Sequence, residues 1–370
     1  MNKVNWKKVI GWGVAALVVV LLIYSNIQEQ KKLSIGKHII IALEAKTGPA
    51  GALAKYSHQG YRMAVEDVKK KYGDIIELLE IDTGGNPQRA ITEFHKLKRD
   101  NMSLIVELSS PAKAVSSVLD GSLLTIASPV DAPDVANPKK GVYRIYIGAN
   151  SIIPVATKFI RDKGFITAAT FTFDDDSGLG FRKEFKTAFT QAGGKVISEE
   201  IFTLSQHDGM REQVYKALQT KPEAVFIAGV GPTYAQLFRL LKEQGYKGLI
   251  VTSWAMTCPE IYEQLGKTAD GVIVLAPNFQ KDLAKRYEET HNTKAYYENV
   301  AYGYDTIMLI TEAYLSVQKG ESKNMVEAMG KIKKHESGFS GTFEILENGN
   351  ITNDIAIYMM NNGNLIPVSE

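Results

Sequence analysis

The sequence has a single cysteine, Cys258, in 370 residues. An intramolecular disulfide is therefore excluded, and thiol content neither supports nor opposes export. It also lacks a surplus of either charge. Lys and Arg number 43 against 41 Asp and Glu, a net +2 with the signs interspersed, so it offers no basic stripe for nucleic acid. The six histidines are scattered singly and H-E-x-x-H is missing, which removes the usual histidine metal site. There is no G-x-S-x-G elbow, so the commonest serine-hydrolase layout is unsupported. Gly266-Lys267-Thr268 echoes a phosphate loop, but Ile261 stands where its leading Gly is required; Gly229-Val230-Gly231 has Tyr234 where a dinucleotide fingerprint ends in Gly. Asp174-Asp175-Asp176 would need Glu at the position of Phe185 to close an EF-hand and reads as a solvated loop. Cys258, with no histidine near it in sequence, reads as a packed thiol. The expectation is a protein without metal, cofactor or enzymatic activity.

Long hydrophobic runs are equally scarce. One run of apolar residues, Val9 to Tyr24, follows Lys3, Lys7 and Lys8. Its end, Leu22-Ile23-Tyr24-Ser25-Asn26, suits signal cleavage poorly and no cysteine follows it, so it is read as an uncleaved anchor with its N-terminus in the cytoplasm. The remaining chain is then extracytoplasmic. Its composition, 45% hydrophobic and 23% charged, is that of a folded globular protein, and its length calls for roughly two domains.

What is present is a repeated strand-helix rhythm. His38 to Leu43 is a short apolar strand that runs through Thr47-Gly48-Pro49-Ala50-Gly51 into a helix from Leu53 to Lys70, with Tyr56, Gly60, Met63, Ala64 and Val68 on its buried stripe. Strands follow at Ile75 to Ile81, Ser103 to Leu108, Ser122 to Ala127 and Val142 to Ile147, with a helix capped by Asn86 and opened by Pro87 between the first two. A second series begins at Ile166 to Phe173. It continues through a loop at Asp174 to Gly180, a helix at Phe181 to Ala192, and strands at Lys195 to Ile201, Glu223 to Ala228, Gly248 to Trp254 and Gly271 to Ala276. Tyr297 to Val317 is the longest helix. Phe339 to Glu344 and Ile355 to Met360 read as a hairpin around Asn348-Gly349-Asn350. Alternating strands and helices mean parallel sheets with helices on both faces, in two halves. Short polar elements after strands, among them Ser109-Ser110, Ser128 to Asp131, Gly148 to Asn150, Ser177 to Gly180 and Ser253-Trp254, would converge on one cleft, where helix N-termini and hydroxyls hold a ligand without reacting.

The chain resembles periplasmic binding proteins of the leucine/isoleucine/valine type, the substrate-binding components of ABC importers. The resemblance rests on Thr47-Gly48-Pro49 with Gly60 and Ala64, Asp82 through Pro87 with Ala90, Ser110 with Ala114, Ser128-Pro129, Arg144, Gly178-x-Gly180, Tyr304-Asp305, and Phe339-Ser340-Gly341-x-Phe343 with Asn348-Gly349. It implies an α/β fold of two Rossmann-like lobes joined by three crossovers and closing by a hinge. Residues 1–34 would be anchor and tether, 35–150 with 278–338 one lobe, and 151–277 with 339–370 the other. It further implies a ligand site at Ser109, Ser110, Ser128, Asp131, Asn150, Ser177 and Trp254. Ser110 matches a serine that holds the ligand's carboxylate, while Asn150 and Trp254 stand where acidic residues would hold an α-ammonium. A buried ammonium needs an anion, so the expected ligand is a small carboxylate, amide or aromatic rather than a standard α-amino acid. Asp131 and Asp174 are the acidic residues that would compensate. The expected partners are that ligand, an ABC permease, and the membrane through residues 9–24, with no nucleic acid. A ligand-sensing ectodomain of the same fold is the alternative.

Overall fold

In the computed structural model, residues 37–368 are described apart from 49, 98–99, 175, 204–208, 230–231, 279–280 and 338. The expected anchor at Val9 to Tyr24 lies outside the described residues. Among the described residues, no helix is long and apolar enough to cross a membrane.

The first lobe is a parallel five-stranded sheet, β1 (His38–Glu44), β2 (Ile76–Asp82), β3 (Met102–Val106), β4 (Thr125–Ala127) and β5 (Val142–Arg144), in the order β2-β1-β3-β4-β5. The strands β1 and β3 are buried almost throughout, as continuous apolar runs require. The helix α1 (Gly51–Tyr72) crosses from β1 to β2 and α2 (Pro87–Lys96) from β2 to β3. The Asn86 side chain accepts from Arg89 N at 2.9 Å, the expected cap. A third helix, α3 (Ser109–Val118), follows β3.

The second lobe is a seven-stranded sheet. Its parallel part contains β6 (Thr167–Phe173), β7 (Lys195–Phe202), β8 (Ala224–Ala228), β9 (Leu249–Ser253) and β10 (Ile273–Pro277). Two strands from the chain's end extend it antiparallel, β14 (Ile355–Asn361) against β10 and β15 (Asn364–Pro367) against β14. The helix α4 (Ala149–Asp162) enters this lobe, and α5 (Asp176–Gln191) crosses from β6 to β7, α6 (Met210–Gln219) from β7 to β8, and α7 (Pro232–Glu243) from β8 to β9. Between the lobes runs a small antiparallel sheet of β11 (Lys334–Glu336), β12 (Thr342–Ile345) and β13 (Ile351–Asn353).

Several expected elements shift. The hairpin around Asn348-Gly349-Asn350 pairs β12 with β13, at Ile345 and Ile351, and Ile355–Asn361 goes instead to β10. Both edges of β12 are taken, by β11 and β13, while β10 has an edge that Ile355–Asn361 completes over five register pairs. The strand expected to reach Ile147 ends at Arg144, whose side chain binds the carbonyls of Tyr146 and Ile147 and curls the chain back. The helix expected from Phe181 begins at Asp176, because Gly178 lets its first turn sit on Phe173: a Cβ there would lie 2.0 Å from the Phe173 carbonyl oxygen. Two helices not expected from sequence, α8 (Pro259–Leu265) and α9 (Lys281–His291), flank the second crossing between lobes.

The long helix α10 (Tyr297–Gln318) lies against α1 with almost no side-chain layer between them. A Cβ on Gly60 would come 2.1 Å from the Val300 carbonyl oxygen, and one on Gly303 2.4 Å from that of Ser57. This reciprocal pair explains why α1 buries Ser57, His58 and Tyr61 as well as the expected apolar stripe.

Candidate functional site between the lobes

Arg144 ends β5 and is 1% exposed. Its Nε donates to the Val130 carbonyl at 2.6 Å, Nη1 to Tyr146 O at 3.0 Å and Asn350 Oδ1 at 3.2 Å, and Nη2 to Ile147 O at 2.7 Å and Asp131 O at 3.3 Å. These five bonds use every N–H the guanidinium has. Burial pushes its pKa down and the nearby Asp131 charge pushes it back up. The arginine thus gathers the loop after β4, the start of α4 and the β12–β13 turn into one wall.

That wall borders a cavity of about 200 Å³, whose other lining includes Asp131, Asn150, Ser177, Phe181, Asn348 and Asn350. A second space of about 30 Å³ adjoins it, sharing Asp131, Ser177 and Phe181 and closed by Phe173, Ala228, Gly229, Ser253 and Trp254. Thirty cubic ångströms hold a water or two. In this conformation an organic solute fits the larger space, or must part the lobes.

Of the residues expected from sequence, Asp131, Asn150 and Ser177 line the larger cavity, and Asp131, Ser177 and Trp254 the smaller. Asn150 Nδ2 donates to the Ile351 carbonyl at 3.1 Å. Ser109 is half-buried and its hydroxyl accepts from Ala132 N at 3.3 Å. Ser110 is exposed, and Ser128 is fully buried with its hydroxyl donating to the Ile145 carbonyl at 2.7 Å. These three line neither cavity. Asp174 is exposed and lines neither, so of the two compensating acids only Asp131 faces the space. Sequence reasoning missed the walls made by Phe173 and Phe181, and the asparagines at 348 and 350. The Asn348-Gly349-Asn350 turn was visible in the sequence, but nothing local ties it to β5.

The two lobes touch through polar bridges. Trp254 is buried with its ring 5.8 Å from that of Phe181, and its Nε1 donates to the Tyr146 hydroxyl at 3.2 Å; that hydroxyl is 3.1 Å from Asn299 Oδ1. Thr257, just beyond Trp254, donates its hydroxyl to Glu298 Oε2 in the first turn of α10 at 2.6 Å. Burial pushes the Glu298 carboxyl up to about 8, against the pull of the Thr257 bond. At the third crossing, Asp305 accepts the hydroxyls of Ser337 and Ser340. Ser337 Oγ in turn accepts from Phe339 N at 2.8 Å and Ser340 N at 2.9 Å, so α10 fixes the turn that carries the chain across.

Periplasmic binding proteins match this chain from residue 40 to residue 364. The chain belongs to the periplasmic binding protein family. Two α/β lobes with a cavity between them are thus the family's architecture, and the family is a class of binding proteins rather than enzymes. No curated protein matches the sequence. Among solved structures, a leucine-binding protein from Thermotoga maritima is similar at 22% identity, with a TM-score of 0.77 over 90% of this chain and 98% of that one. A solute-binding protein of an ABC transporter from R. palustris, in complex with benzoate, is similar at 17% identity and a TM-score of 0.76 over 90% and 96%. A fatty acid ABC transporter substrate-binding protein from Thermomonospora curvata is similar at 18% identity and 0.76 over 90% and 91%. At these identities the likeness speaks for the fold.

Proposed function

We propose that the chain is the solute-capturing component of an ABC importer, working outside the cytoplasmic membrane and tethered there by the Val9 to Tyr24 run. Its lobes, residues 35–150 with 278–338 and 151–277 with 339–370, close on a small ligand and present it to a permease without making or breaking a bond. The proteins it resembles in structure are a leucine-binding protein, a solute-binding protein in complex with benzoate and a fatty acid transporter's substrate-binding protein, and capture of a small solute is the common element. The ligand we favour is a neutral aromatic or amide. The observation that carries this is the committed state of Arg144, the only Lys or Arg among the described residues lining either space. With five bonds already made to protein oxygens, it has no N–H left to neutralise a ligand carboxylate. What remains is the carboxyls of Asp131 and Glu184, which accept from ligand N–H groups and oppose a ligand anion, with polar groups of Asn150, Asn348 and Ser177 beside the rings of Phe181 and Trp254; these suit N–H-bearing groups on a flat apolar body. Asn150 and Trp254 supply no charge for an ammonium, so Asp131 and Glu184 are the acids that would hold one if leucine responds.

The test is a thermal-shift screen of the full chain in detergent against benzamide, short aliphatic amides, benzoate, octanoate, leucine and isoleucine. A ligand at 100 times its dissociation constant stabilises the folded state by about 2.7 kcal/mol. A response to benzamide or another amide with leucine silent supports the reading. A strong leucine response overturns the ligand class, and steady conversion of any of these compounds overturns the binding function itself.

A further inference from the structure

Beneath the cleft, at the carboxyl edge of the first lobe's sheet, lies a cluster of titratable groups that takes no part in lining either cavity. Glu107, one residue past β3, is 1% exposed. Its Oε2 accepts from Ala45 N, the first residue after β1, at 3.0 Å and lies 3.0 Å from His58 Nε2 on α1. The Tyr61 hydroxyl is 3.1 Å from Glu107 Oε1 and 2.9 Å from the Ser128 carbonyl oxygen. One carboxylate therefore reaches the loops after β1, β3 and β4. Leu108, its neighbour, sits at φ +64 with its N–H on the Pro129 carbonyl at 3.2 Å. A leucine holds that left-handed backbone only where its surroundings impose it. Three residues beyond Ser128, Asp131 faces both cavities, and Arg144 grips the same loop from the other side through Val130 and Asp131.

We propose that Glu107 is a positioning residue for the cleft: through Ala45, His58 and Tyr61 it sets the three first-lobe loops against the second lobe. The inference rests on the interlobe space being the ligand site. The groups around it give it a pH dependence. Glu44 on β1 is fully buried, 3.7 Å from His58 and 3.3 Å from Lys46, with no hydrogen-bond partner for either oxygen. Glu80 on β2 faces Lys46 at 3.5 Å and is held by Arg62 of α1 at 2.9 Å. Burial pushes Glu44 up to about 8. Burial alone would lower His58, but the bond to Glu107 and the charges of Glu107, Glu44 and Glu80 raise it. Glu44 therefore holds its proton at neutral pH and loses it as pH rises through about 8, which places a buried charge on β1 beside His58 with Lys46 3.3 Å away; His58, raised, loses its proton in the same direction.

Hydrogen exchange followed by mass spectrometry on the full chain tests this without a ligand. Glu107→Gln should raise exchange about tenfold or more in segments 45–48, 108–112 and 128–132 together, with 224–228 and 249–253 of the second lobe at wild-type rates. Tyr61→Phe, a milder change, should release 128–132 and leave 45–48 protected. In the wild type, protection of the three segments, corrected for the intrinsic rate, should fall between pH 7 and pH 9. Unchanged exchange in these segments, or a uniform rise through both lobes, overturns the positioning role. In a binding arm, Glu107→Gln should weaken whichever of benzamide and leucine the wild type binds by about tenfold, and unchanged affinity with loosened loops overturns the link to the cleft. Wild-type protein silent to both probes counts against benzamide as a ligand, while the exchange arm still decides the role of Glu107.

Discussion

Arg144 and Glu44 mark the two ways a buried charge is held at residue scale. Arg144 spreads its charge over five oxygens, and a lysine there would keep the charge but lose the planar fork that reaches them. Arg144→Lys should cost about 3 kcal/mol in chemical denaturation, the range for breaking a buried charged network, and an unchanged midpoint would show that the five bonds do little. Glu44 is held differently, by keeping its proton. A carboxyl whose folded pKa is about 8 binds a proton that the unfolded chain gives up near its ordinary value, so the folded state loses stability as pH rises between the two. His58, raised in the folded state, acts in the same direction, contributing most at acid pH and less as pH passes its folded value. Glu298, also raised to about 8, adds a slope of the same sign. The wild type should therefore melt progressively lower from about pH 5 to pH 8, and Glu44→Gln, which cannot ionise, should flatten part of that slope and melt higher than wild type at pH 8.5. An equal slope in both proteins would remove Glu44 as its source.

At the scale of elements, the contact of α1 with α10 depends on Gly60 and Gly303 in the way a well-packed core depends on its smallest residues. With carbonyl oxygens 2.1 and 2.4 Å from the added Cβ, either Gly60→Ala or Gly303→Ala must push the helices apart, and overpacking of this kind costs about 1–3 kcal/mol. Gly180, inside α5 with open space around it, is the control: Gly180→Ala should be stabilising by about 0.5–1 kcal/mol through helix propensity alone. Denaturation midpoints of the three variants check this, and a loss at Gly180 equal to that at Gly60 would refute the packing argument. The sequence shows why the elements themselves were legible. Buried parallel strands such as β1, β3 and β8 are built on the apolar runs Ile39 to Leu43, Leu104 to Val106 and Ala224 to Ala228, and α1 carries its stripe at helical spacing. Partner choice was not legible, because Ile355 to Met360 has the same pattern whether it pairs with β12 or β10. Nor was the Glu107 cluster, since His58 and Glu44 read as ordinary polar residues until α10 seals the other face of α1.

The whole molecule works, on this reading, by the balance between parted and closed lobes, and the closed arrangement carries a bond whose removal shifts that balance. Thr257 of the second lobe donates to Glu298 at the start of α10, which packs on the first lobe. The Glu298 carboxyl, with burial raising it to about 8, is mostly neutral at pH 7, so the bond is worth about 1 kcal/mol net. Glu298 Oε1 already has no partner, and Thr257→Val would leave the whole carboxyl unbonded when the lobes meet. Opening relieves that cost and closure restores it. The closed fraction should then fall about fivefold wherever closed molecules are the minority, and apparent affinity falls in proportion, since the affinity of a ligand that needs the closed form scales with the fraction already closed. Small-angle scattering should show a larger radius of gyration for ligand-free Thr257→Val than for wild type, with the two converging at saturating benzamide if benzamide is bound. Identical scattering curves with unchanged affinity would mean that this contact lies on the hinge side of the motion and persists in both states.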